Sequence, residues 1–291
     1  MNTKILVSLL VIGLTAIAIG GGMTGAFFSD TETSSGNTFT AGAIDLKVDN
    51  HCYYNGNECI YDGNAGRYCW DANGNSECET GEETCTCTWN LDDLNGHVFA
   101  DFSDLKPGDW GEDTISFHVD SNKAWLCAKV EITEDDDVDC TEPETEEEGN
   151  DCGTGNNGEL DNYLEVFAWV DTCQGYGGHY PGDNIYTPDC DKPLMINPVK
   201  LTDYEGTFPI ADATYSIAGN DLSGNPLPLI GGGKYYIGKA WCFGDMTVES
   251  DGTITCNGAN VQNDAQTDTL KLKVSFTAVQ YRNNQDYTCV S

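Results

Sequence analysis

The stretch DANGNSECETGE, Asp71 to Glu82, is where the residue types come closest to a recognisable chemistry. Side-chain oxygens stand at loop positions 1, 3 and 5 (Asp71, Asn73, Asn75), Glu77 adds a carboxylate, and Glu82 supplies another at position 12. Calcium takes six to eight oxygens, and this spacing can gather them in one tight loop. The loop is a variant: glycine falls at position 4 instead of 6, and Cys78 takes the usual aliphatic place. An Asn- and Gly-rich turn inside a disulfide cluster is the competing reading.

Zinc must be weighed for the cysteines around that loop, Cys52, Cys59, Cys69, Cys78, Cys85 and Cys87, because thiolates at short spacing are its usual ligands. They contain no CxxC pair. All 14 cysteines lie beyond residue 50, and an even count in an exported chain argues for disulfides. Cys85 and Cys87 fall on one side of an extended chain, so each needs a different partner. Cys140 with Cys152, Cys173 with Cys190 and Cys242 with Cys256 are local pairs, which leaves Cys127 and Cys289 for a longer bridge.

Signs of catalysis are thin. His51, His97, His118 and His179 are isolated, with no HExxH to hold a zinc and its base, and no GxSxG elbow. Nothing in the residues asks for an enzyme. Trp70, Trp89 and Trp110 could offer stacking faces to a sugar, which supports an alternative function: a monomeric, calcium-dependent adhesin or carbohydrate-binding module.

The chain carries 48 Asp and Glu against 13 Lys and Arg, a formal net charge of −35. That balance excludes nucleic acid and anionic membrane surfaces as partners, because phosphates would be repelled. Residues 1–26 read as a signal peptide: Lys4, an apolar run from Ile5 to Ile19, and small residues up to Ala26, with an uncleaved anchor helix over Ile5 to Gly22 as the alternative. A membrane contact is therefore expected only before cleavage, and the mature chain is expected to be secreted, outside the cell or at its surface.

Period-two alternation must supply the scaffold. Leu270, Leu272, Val274, Phe276 and Ala278 face one way, with Lys271, Lys273, Ser275 and Thr277 opposite, which describes a strand with one buried face. Ile115, Phe117 and Val119 repeat the pattern, with His118 outward, and so do Ile44, Leu46 and Val48. Further strands are expected over residues 125–132, 163–171 and 234–241, with turns at KPGD 106–109, GDN 182–184, SGNP 223–226 and IGGGK 230–234. No long amphipathic helix is visible. The reading is an all-β antiparallel sandwich of jelly-roll kind over residues 38–291, with a Cys-rich insertion at 51–90 and an acidic loop at 134–151. That acidic loop reads as solvated and closed by Cys140–Cys152, with a specific cation site as its alternative.

Three segments resemble the TasA and camelysin family of secreted matrix-fibre proteins, whose signal peptides are cut by a dedicated signal peptidase. They are GGGMTGAFFSDTETSSGNTFTAGAIDLKV at 20–48, FSDLKPGDWGEDTISFHVDSNKAWLCAKVEI at 102–132 and LKLKVSFTAVQYRN at 270–283. The first looks like the family's pattern of aromatic-Ser/Asn-Asp followed by TFxxGxxDL. The resemblance implies a jelly-roll subunit of an extracellular filament, as in biofilm fibres and archaeal bundling pili. Its partners would be copies of itself, with neighbouring filaments or cells beyond them. It also implies that the mature N-terminal segment, residues 27–37, is donated as a strand to the next subunit, anchored by Phe27 and Phe28. Extended at about 3.3 Å per residue, that segment spans roughly 36 Å. Camelysins have also been labelled metalloproteases, a label that the lack of HExxH sets aside here.

Overall fold

The computed structural model describes residues 44–102, 104–120, 122–139, 141–148, 152, 153 and 158–290. The signal-peptide segment, residues 27–37, Phe27, Phe28 and Cys140 lie outside the described residues. The chain is mostly β and its ladders are antiparallel, as the alternating pattern requires. The strands are β1 (Leu46–Tyr54), β2 (Asn57–Asp62), β3 (Arg67–Asp71), β4 (Trp89–Asp92), β5 (Trp110–Val119), β6 (Ala124–Asp136) and β7 (Leu164–Val170). They continue as β8 (Lys192–Pro193), β9 (Val199–Lys200), β10 (Gly206–Ala211), β11 (Gly233–Phe243), β12 (Asp245–Val248), β13 (Ile254–Asn257) and β14 (Thr269–Gln280). The described helices are short: α1 (Glu142–Glu148), α2 (Leu160–Tyr163) and three single turns of 3-10 helix. None is long and apolar enough to cross a membrane.

A large sheet runs β3-β2-β1-β5-β11-β7-β8, with β4 also on β1 and β9 also on β7. A three-stranded sheet runs β10-β6-β14. From β5 onward each successive long strand changes sheet (β5, β6, β7, β10, β11, β14), so the two sheets are stitched together by the chain. One core joins them: Val48, Phe117 and Val170 from the large sheet meet Trp125, Ile210 and Val279 from the small one. Phe117 packs edge-on against Phe276 at 4.8 Å between centroids, the arrangement that ring quadrupoles favour.

The strand β7 shows why this is more than a two-layer sandwich. Val166 to Val170 are all buried; Ala168 and Val170 face the shared core, while Phe167 and Trp169 join Ala240 and Met246 in a second cluster. The β12–β13 hairpin, through Met246, Val248 and Ile254, and the loop residues Tyr186 and Met195 therefore cover the other face of the large sheet there. At mid-strand on β11, a Cβ on Gly238 would fall 2.1 Å from Trp169, so only glycine admits that indole.

Two expectations need correction. His118 is half-buried rather than simply outward, and its Nε2 lies 3.0 Å from Asp49 Oδ2. On the expected face of β14 only Phe276 and Ala278 pack against the shared core, half-buried, while Leu272 is 41% exposed; the fully buried residue, Val279, belongs to the opposite face. The KPGD turn forms as expected, with Asp109 N donating to Lys106 O at 2.8 Å and Gly108 at φ +94°, a value glycine tolerates.

Candidate functional site

The Cys-rich span begins inside β1, which continues through His51 to Tyr54 before the chain leaves the sandwich. Its first feature is the β2–β3 hairpin, which the Asn and Gly content concealed. Asp62 ends the hairpin's first strand and caps the turn: Oδ1 accepts from Asn64 N at 2.7 Å and Ala65 N at 3.2 Å, while Oδ2 accepts from Cys78 N at 2.9 Å. These amide bonds hold its carboxyl below the usual range.

The expected calcium loop follows directly from β3. Asp71 is buried, and Oδ1 accepts from Gly74 N at 2.7 Å and Asn75 N at 3.1 Å, while Oδ2 accepts from Ser76 N at 2.8 Å. Asn73 Oδ1 accepts from Asn75 N at 3.0 Å, and Asn75 Oδ1 accepts from Glu77 N at 2.9 Å. Glu82 closes the loop by accepting from Ala72 N at 3.3 Å and Glu79 N at 2.8 Å. Asp71, Asn73, Asn75 and Glu82 are thus brought together, and Glu77 is exposed. Their oxygens serve backbone amides, two of them on Asp71 Oδ1, which fills that atom's lone pairs. Among the described residues, the loop's carboxylates form no trio with ligand atoms within 4.8 Å.

Disulfides account for the cysteines. Cys52 pairs with Cys87, Cys59 with Cys85 and Cys69 with Cys78, so Cys85 and Cys87 do take different partners. Cys127–Cys289, Cys173–Cys190 and Cys242–Cys256 are the expected pairs. Cys152 is disulfide-bonded as well. The sulfurs of Cys52, Cys59 and Cys87 come close enough for a metal, but all are spent in disulfides.

Each histidine meets its own carboxylate: His51 with Glu58 (2.7 Å), His97 with Asp92 (3.7 Å), His118 with Asp49 (3.0 Å) and His179 with Asp183 (2.9 Å). Among the described residues, no histidine joins a trio of metal-competent side chains. Of the tryptophans read as stacking faces, Trp89 is buried and stacks on His97 at 4.7 Å. Trp70 is half-buried and lies among Tyr54 and Phe102, at 5.6 and 6.2 Å. Trp110 is half-buried in β5.

The outer edge of β14 is the feature that sequence reasoning missed. Within the three-stranded sheet β14 pairs with β6 alone over twelve residues, and its other side has no partner strand among the described residues. Lys271 and Lys273 pair with Glu134 and Glu131 across the ladder, so they decorate the solvent face. A long edge of that kind is a template for another strand.

Residues 2–59 match the family model described as camelysin metallo-endopeptidase. No curated protein matches the chain. The matched span runs through β1 into the start of β2. Over that N-terminal part the chain is similar to the family that its opening motif resembles.

Proposed function

We propose that the protein is a non-enzymatic structural subunit of a secreted filament, a pilus or biofilm-matrix fibre, that grows head to tail. Residues 1–26 are removed as a signal peptide, and residues 27–37 of one subunit add to β14 of the next. The unpaired edge of β14 carries the reading. Its twelve residues match a donor of eleven, and Leu272 stands exposed on it. Main-chain bonds would give strength, and Phe27 and Phe28 would set register by filling pockets. Burying one such ring contributes about 1.5–3 kcal/mol. A contact repeated without closing on itself makes a fibre. A subunit that receives a strand in this way completes its smaller sheet, consistent with the jelly-roll reading.

The family description favours a metallo-endopeptidase. The separate histidine–carboxylate pairs support the structural role instead, since a zinc protease gathers its ligands at one point. Electron microscopy of the mature chain, with intact mass to fix its start, tests the proposal. Deleting residues 27–37 should abolish filaments and leave a folded monomer, and Leu272→Glu should do the same from the acceptor side. Filaments that persist in both variants rule out this mode of assembly.

A further inference from the structure

Three carboxylates distant in sequence converge beside the small sheet. Asp137 follows β6, Glu144 lies in α1 and Asp268 immediately precedes β14. One oxygen from each lies within 4.8 Å of the others. Glu144 is 0% exposed and Asp137 only 7%, so the reading of this acidic span as a solvated loop fails at its centre.

Each group is pinned through one oxygen. Asp137 Oδ2 accepts from Gly153 N at 2.5 Å, Glu144 Oε2 from Thr141 N at 2.9 Å, and Asp268 Oδ2 from Glu159 N at 2.6 Å and Leu160 N at 3.1 Å. The second oxygen of each, Asp137 Oδ1, Glu144 Oε1 and Asp268 Oδ1, is buried without a hydrogen-bond partner. The ion pairs of the described residues include none of the three.

A buried acceptor left unpaired is costly, and three negative groups at this range add repulsion. One cation removes both penalties. The donor set is oxygen only, which selects a hard ion. Two ligands on opposite sides of a calcium ion, each at roughly 2.4 Å, stand about 4.8 Å apart, so a single ion can bridge the spread. Magnesium demands near-ideal octahedral geometry and keeps several waters, which suits an enclosed trio poorly.

We propose that Asp137, Glu144 and Asp268 form a calcium site that fastens the acidic segment to the base of β14. The site stands independently of the filament reading. Its test is calorimetric titration of the chelator-stripped full chain with calcium chloride, alongside thermal melts, for the parent, Glu144→Gln and Asp268→Asn. The parent should show one saturable site above the diffuse binding of an acidic surface, and a melting rise on the order of 5 °C at saturation. Both variants should lose that site. Without calcium they should melt no lower than the parent, because each removes one charge from a repelling trio; a merely structural carboxylate would give a drop. No saturable site up to about 1 mM, the weak end for extracellular calcium modules, overturns the proposal. Retention of the site in both variants, or its loss in Glu82→Gln alone, overturns it equally. An equal response to magnesium chloride overturns the choice of ion.

Discussion

The sandwich and the Cys-rich insertion hold themselves together by different means. In the sandwich, Phe117, Trp125, Leu126 and Val170 are almost wholly buried in one core that two sheets share. In the insertion, the buried cluster consists of Cys52, Cys59, Cys85 and Cys87, with only Tyr68 and Trp70 packed against it. One region is stabilised by apolar area removed from water. The other is too poor in aliphatics for that, and cross-links take over by limiting the unfolded chain. Four carboxylates illustrate the contrast. Asp62 and Asp71 are held by loop amides, which favour the charged form, whereas Glu112 and Asp171 are raised by burial to about 7 and about 6.

The largest effect should come from opening the shared core. Phe117→Ala removes a ring that is 0% exposed and seated on Phe276, and should cost about 3–5 kcal/mol of global stability by denaturant unfolding. Replacing Cys59 and Cys85 together by alanine should cost about 2–5 kcal/mol, but locally. Hydrogen exchange should accelerate across residues 57–88 while β5 and β11 keep their protection. If the double variant instead unfolds the sandwich, the two regions are one cooperative unit and the contrast between them is lost.

The sandwich was the legible half of the molecule. Period-two alternation marked β1, β5 and β14, because a strand with one face in a common core must alternate, and aromatic and β-branched content marked β6, β7 and β11. Nearness in sequence identified Cys173–Cys190 and Cys242–Cys256, and elimination left Cys127–Cys289. The β2–β3 hairpin was hidden since its stabilising contacts are disulfides rather than alternating apolar residues. β10 was hidden by Pro209, which a sheet accepts on an edge strand such as this one. The carboxylate trio was beyond local reading altogether: acidity suggests solvation, and only the folded chain brings Asp268 to Asp137 and Glu144. Leu272 misled in the opposite direction, because alternation states which face a residue takes and not whether anything covers that face.

The smallest effect, and the finest test of the contrast, is its dependence on pH. Glu112 has its folded pKa raised to about 7 by burial and by the Asp113 charge, so the native state holds a proton that the unfolded chain releases earlier. Stability must then fall as pH rises from the ordinary carboxylate range toward 7, and level off above it. Asp171 acts in the same sense up to about 6. Asp62 is depressed, so its contribution is present above the ordinary range and is lost on acidification. Self-repulsion of a chain this acidic also grows with pH, and Glu112→Gln separates the two causes. The variant should show a flatter decline in melting temperature between about pH 5 and 7, while the acid-induced loss of hydrogen-exchange protection around Asp62 stays where it was. An unchanged slope would mean that the decline belongs to overall charge, and that burial against the large sheet does not set the behaviour of its carboxylates.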